Sequence, residues 1–292
     1  MKESQAPNTA QANKLFFLTV LLTIAGTAIF GTRLGMGTNL WFNEFLYILL
    51  PPLLLARLRG WSLEEVFKFR GTSAKNYFLS VLAGVSLWAF ASYFANMTRL
   101  FLDSTFGPVN LTEGINSLES SLYQIVLFLV GTVVLAPICE EIFFRGFVQA
   151  AYGRYSPKYG YVITAVLFGA YHILNGLSDV LPAMILGAAM GYLVYVTGSL
   201  AASMLFHATA NLSAVLSGLF KGSISPYPAG WVHLGAAAAL FLAVLTLSQV
   251  EGEPEPEQKE PLGGVLFLVL TALLFTAAGV VEILARMGRL SF

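Results

Sequence analysis

The chain has 292 residues, of which 57% are hydrophobic and 11% charged, against about 25% charged in an ordinary soluble domain. Formal net charge is zero, so no basic surface calls for nucleic acid, and the single cysteine, Cys139, excludes an intramolecular disulfide. With a mean hydropathy of +0.72, the chain reads as an all-α, polytopic integral membrane protein in a lipid bilayer, with no room for a large soluble domain.

The opening segment M-K-E-S-Q-A-P-N-T-A-Q-A-N-K is polar and longer than a usual signal-peptide n-region. The run at 15–31 shows no persuasive small-residue cleavage site, so it reads as a retained first span. A crossing helix needs about 20 mostly apolar residues. Such runs follow one another at 15–31, 39–58, 76–97, 120–152, 159–175, 180–197, 199–220, 231–249 and 262–284, which predicts eight or nine transmembrane helices. All should be helical, because lipid offers no partner to an unpaired backbone group. The fourth run exceeds one crossing, so it should tilt, kink at Pro137 or project from the membrane.

Orientation follows from Lys and Arg. Arg57, Arg59, Lys68, Arg70 and Lys75 crowd the loop after the second run, which places that loop and the N-terminus in the cytoplasm. The turn with Arg154 and Lys158 then falls on the same side. So does the segment 251–261, E-G-E-P-E-P-E-Q-K-E-P, an acidic, Pro-rich solvated connector. Arg286 and Arg289 fall outside, a mild conflict with the rule. Gly187 and Gly191 form a G-x-x-x-G step that suits close helix packing.

An ionisable side chain within a membrane is costly and marks either function or a buried pair. Four groups stand out. In C-E-E-I-F-F-R-G, Glu141 and Arg145 are four apart and share a helical face, which favours a structural ion pair. Glu140 points about 100° away and has no local partner; a carboxyl there needs a proton or polar company, and both suit a general base. His172 closes F-G-A-Y-H in the fifth run; taken alone it is more often a satisfied core residue. His207 and Asn211, in H-A-T-A-N of the seventh run, share a face. They fit either two donors to a developing oxyanion or interhelical hydrogen bonding. His233 has only Ala229 and Ala237 four residues away and reads as interfacial.

Depth links the first three groups. Glu140 lies 14 residues before Arg154, and His172 lies 14 residues after Lys158, so both sit roughly 21 Å from the same turn. His207 and Asn211 follow the turn at Gly198 by 9 and 13 residues, roughly 13–20 Å. The three helices can therefore pool their polar groups in one chamber.

The ordered set E-E-x-x-x-R (Glu140, Glu141, Arg145), F-x-x-x-H (Phe168, His172) and H-x-x-x-N (His207, Asn211) resembles the motifs of the CPBP or ABI family of intramembrane proteases. That family includes the type II CAAX prenyl endopeptidases and bacteriocin-processing proteins. The resemblance covers about 120–215, and it divides the chain into N-terminal membrane helices (1–119), a catalytic helical core (120–220) and C-terminal membrane helices (221–292). It implies hydrolysis of a peptide bond in a membrane-anchored or prenylated peptide or protein. By that resemblance Glu140 activates water, His172 helps hold or deprotonate it, and His207 with Asn211 stabilises the oxyanion. Glu141 and Arg145, with Phe168 in the second motif, support the site.

The residue inventory agrees with activated water. Cys139 has apolar or acidic neighbours, which do not favour a thiolate nucleophile, and no Ser or Thr has an evident base beside it. Glu140, His172 and His207 could offer three ligands to zinc or another divalent metal, with a fourth position open; the amide of Asn211 beside His207 favours a metal-free oxyanion pair. Two rival readings share these residues: a transporter or proton/cation pathway, and a non-catalytic membrane scaffold. The expected location is the cell membrane in a prokaryote or the endoplasmic reticulum in a eukaryote, with the site facing the cytoplasm.

Overall fold

The computed structural model describes residues 6–31, 33–109, 121–156, 158–219, 230–253 and 260–290, and among these there are helices and no strand. Eight helices are long and apolar enough to cross a membrane. They are α1 (Thr9–Phe30), α2 (Met36–Arg59), α3 (Ala74–Phe106), α4 (Leu122–Tyr155), α6 (Leu177–Thr197), α7 (Leu200–Leu219), α8 (Gly230–Ser248) and α9 (Val265–Arg286). Between α4 and α6 lies a shorter apolar helix, α5 (Gly160–Leu174). The protein is an all-α, multi-pass membrane protein.

The fifth expected span is thus shorter than a full crossing. Its α-helical part, Gly160–Tyr171, gives way to a 3-10 turn at His172–Leu174. Gly176 follows with φ 140°, a conformation open to glycine, and the chain reverses directly into α6. A helix of this length reaches only about 22 Å, short of a roughly 30 Å hydrocarbon core. His172 therefore sits at the far end of a helical hairpin, inside the bundle.

The long α4 changes register rather than simply bending. Two π-helical stretches, Gly131–Leu135 and Ile142–Val148, flank the α-helical turn Ala136–Glu141. Ala136 donates its N–H five residues back, to Gly131, and Pro137 has no N–H to give. The Thr132 carbonyl is left without its helical donors. The expected irregularity at Pro137 is present, and it takes the form of a widened turn.

One continuous core holds the helices together. Phe16 of α1 meets Phe144 of α4 at 5.8 Å and Phe275 of α9 at 6.0 Å between ring centroids. Phe144 in turn meets Phe168 of α5 edge-on at 5.0 Å. Opposite faces stay apolar and open, as at Leu58, Leu122, Leu234 and Phe241, which suits contact with lipid rather than water.

Glu251 pairs with Lys75, and Glu260 pairs with Arg154. The positive loop, the α4–α5 turn and both flanks of the acidic connector therefore share one end of the bundle. Connector residues 254–259 lie outside the described residues, as do the expected domain boundaries at 119/120 and 220/221. At the opposite end Arg286 is buried and neutralised by Asp103 of α3 at 2.7 Å and Glu282 at 2.7 Å. Glu282 also accepts the N–H of Leu177 at 2.6 Å, capping α6. The conflict at Arg286 dissolves, because its charge is spent inside the protein.

Candidate active site

The turn Ala136–Glu141 carries Glu140 and Glu141 into the bundle, where both are buried. Their surroundings differ. Glu141 Oε1 accepts from Arg145 Nη1 at 2.8 Å, with both side chains fully inaccessible. The same oxygen lies 3.1 Å from Nδ1 of His207, and Glu141 Oε2 accepts from the hydroxyl of Ser203. The expected ion pair is present. Glu141 also does something spacing did not suggest: it fixes the catalytic imidazole candidate on α7.

Glu140 has the opposite environment. Its Oε2 is buried with no hydrogen-bond partner among the described residues. Nε2 of His207 lies 3.9 Å from it. That is beyond direct hydrogen-bond reach and close enough for one water molecule to bond to both. A carboxylate on Glu141 leaves Nδ1 of His207 as the donor nitrogen, so Nε2 is the nitrogen presented to Glu140.

His172 is oriented by its own helix. Its Nδ1 lies 2.8 Å from the Phe168 carbonyl, which can only accept, so Nδ1 carries the hydrogen and Nε2 is the unprotonated nitrogen. The Phe168 ring is the hub between the two imidazoles, 4.5 Å from His172 and 6.0 Å from His207. It also carries the Arg145 guanidinium 4.2 Å above its centroid, a favourable cation–π contact.

Asn211 is held at the other flank. Its Nδ2 donates to the Thr132 carbonyl at 2.8 Å, the group orphaned by the widened turn before Pro137. One amide hydrogen is thereby committed and the second stays available. The G-x-x-x-G step of α6 also acquires a purpose. The carbonyls of Gly187 and Gly191 accept from Arg145 at 3.2 Å and from Gln149 at 2.9 Å. A Cβ at Gly191 would stand 2.9 Å from the Gln149 amide oxygen, so the small residues let polar side chains of α4 reach the α6 backbone.

Among the described residues, no three His, Cys, Asp or Glu side chains are gathered as a metal-binding group.

Residues 122–213 match the family model described as Type II CAAX prenyl endopeptidase Rce1-like. This is the family that the motifs resemble. The matched stretch runs from the start of α4 through Asn211 on α7 and contains every motif residue. No curated protein and no solved structure matches the chain.

Several polar residues around the site carried no motif. Ser203 lies four residues before His207, so its place on the same face of α7 was available from spacing. Glu44 of α2 is also buried, on the stretch that packs against the Ala136–Glu141 turn. Its depth was the missed signal: it stands 15 residues before Arg59, roughly 22 Å in, level with Glu140. His233, in contrast, bonds through Nδ1 to the Tyr93 hydroxyl at 2.7 Å, between α8 and α3.

Proposed function

We propose that the protein is an intramembrane endopeptidase that hydrolyses a peptide bond of a membrane-anchored or prenylated peptide or protein. One observation carries this reading: a buried Glu140 oxygen without a partner faces the Nε2 edge of His207, whose other nitrogen is pinned by Glu141. The family match over the same residues supports it.

Glu140 takes a proton from water as the oxygen attacks the scissile carbonyl, and the proton passes to the leaving nitrogen as the C–N bond breaks. His172, fixed by the Phe168 carbonyl, bounds the water position from α5. His207 and the second amide hydrogen of Asn211 stabilise the oxyanion. For Nε2 of His207 to donate, the ring must carry a second proton; the Glu141 carboxylate supplies the counter-charge for that imidazolium. No step in this scheme is routed through a metal. Access is from the cytoplasmic face, in the cell membrane of a prokaryote or the endoplasmic reticulum of a eukaryote.

The test uses purified wild type and Glu140→Gln in detergent, offered a prenylated C-terminal peptide and a membrane-anchored precursor. Wild type should cleave at least one, and the variant should lose most of that turnover. Undiminished cleavage by Glu140→Gln would reject the scheme. Chelator added to active enzyme should leave the rate unchanged.

A further inference from the structure

A second buried acid lies on the helical stretch that packs against the Glu140 turn. Glu44 of α2 is 2% exposed. It sits in a π-helical stretch, Asn43–Leu49, closed by the Leu50 N–H bonding five residues back to Phe45. Such widened turns occur often at functional sites. The stretch packs against the Ala136–Glu141 turn of α4, which carries Glu140.

The hydrogen bonds around Glu44 have a direction. The Tyr171 hydroxyl, next in sequence to His172, is 2.9 Å from the Thr23 hydroxyl. Thr23 donates to Asn43 Oδ1 at 3.1 Å, and Asn43 Nδ2 donates to Glu44 Oε1 at 3.3 Å. With Thr23 donating onward, Tyr171 is the donor to Thr23, so each donor points toward Glu44. The chain ends on one carboxylate oxygen and leaves the other, Oε2, buried with no partner among the described residues. Glu140 Oε2 is in the same condition.

Two buried acids with one orphaned oxygen each do not stabilise a fold. An unmet buried acceptor costs about 1–3 kcal/mol. A Leu or a Gln at position 44 would serve packing better. The arrangement makes sense as an acceptor pair waiting for a molecule with two hydrogens to give.

We propose that Glu44 is a catalytic residue contributed by α2, and that its free oxygen and that of Glu140 each accept one hydrogen of the attacking water. This rests on the hydrolytic reading above. Of the two protons of the water, one moves to Glu140 as the oxygen–carbon bond forms, then to the leaving nitrogen as the C–N bond breaks. The other stays on the oxygen, held by Glu44, and departs with the new carboxylic acid. Glu44 thereby fixes which lone pair of the water faces the scissile carbonyl. Glu44 lies outside the matched segment 122–213, so the site draws on a helix that the motifs do not reach.

The experiment compares Glu44→Ala, Glu44→Asp, Glu44→Gln and Glu140→Gln with wild type, as full-length protein in detergent. Cleavage of the prenylated peptide and the membrane-anchored precursor is followed by kcat and KM, and thermal melting is recorded for each variant. Misorienting an attacking group by about 1 Å costs roughly 100-fold. Glu44→Ala and Glu44→Asp should therefore lower kcat by about that factor, with KM little changed. Glu44→Gln, which keeps an acceptor oxygen, should lose less. The melting temperature of Glu44→Ala should hold or rise, since an unmet buried acceptor is removed, and those of Glu44→Asp and Glu44→Gln, which keep one, should stay near wild type. Wild-type kcat in Glu44→Ala, with Glu140→Gln inactive, overturns the role of Glu44 alone. A fall in kcat that merely follows a fall in melting temperature across all three Glu44 variants overturns it too. Full activity in Glu140→Gln, or no cleavage by wild type, removes the hydrolytic reading and this one with it.

Discussion

Glu141 and His207, 66 residues apart in sequence, meet at 3.1 Å between Oε1 and Nδ1. The contact turns a local ion pair into the link between α4 and α7. Arg145 neutralises the carboxylate, the carboxylate orients the imidazole, and the outer nitrogen of the ring is aimed at Glu140. Glu141→Gln should therefore do two things. It should strand the inaccessible Arg145 guanidinium, at a cost of about 3–5 kcal/mol for a broken buried pair. It should also release His207, so that residual folded protein turns over more slowly than its amount predicts. Thermal melting together with activity per folded molecule checks both. If activity tracks the folded fraction alone, Glu141 only braces the helix.

Ser203 donates to the second oxygen of Glu141. A hydrogen bond to a charged group contributes about 1.5–3 kcal/mol. Ser203→Ala should lower the melting temperature modestly and kcat by less than Glu141→Gln does. The double variant with Glu141→Gln should be no slower than Glu141→Gln itself, because both act on one imidazole. Additive losses in steady-state kinetics would place Ser203 in some other role.

Asn211 depends on a defect in a different helix. Asn211→Ala should cost about 2.7–4 kcal/mol of transition-state stabilisation if it behaves as an oxyanion donor. Pro137→Ala supplies an N–H that competes for the Thr132 carbonyl, so it should also slow turnover, and the double variant should be close to Asn211→Ala. A double-mutant cycle on kcat measures the coupling. Independent effects would mean that the Thr132 carbonyl does not position the amide.

Cys139 is fully buried and adjacent to Glu140. Cys139→Ala should retain wild-type turnover, and a maleimide should leave the native enzyme active. Inactivation by either change would revive a thiol nucleophile.

Arg286 closes the end of the bundle remote from the acidic connector. Arg286→Ala leaves Asp103 and Glu282 facing each other without their cation. It should lower the melting temperature clearly and leave kcat of the folded fraction unchanged. A selective loss of kcat would tie that end of the bundle to the chemistry.

The sequence by itself determined the class of the molecule. Apolar runs of crossing length demand helices, since lipid leaves the backbone no other partner, and among the described residues eight crossing helices and one shorter one stand where hydropathy placed them. It also determined the Glu141–Arg145 pair, because four residues is a local distance on a helix. The shared depth of Glu140, His172 and His207 followed from counting residues. Tertiary structure alone decided which lone pairs are spoken for. The orphaned oxygen of Glu140, the pinned Nδ1 atoms of both histidines and the Thr132 carbonyl that holds Asn211 all depend on rotation about helix axes and on π-helical turns. Those are set by packing between helices far apart in the chain, and apolar periodicity does not encode them. Glu44 shows the difference most plainly: in sequence it is one acid in a hydrophobic run, and only the packing of α2 against α4 makes it the neighbour of Glu140.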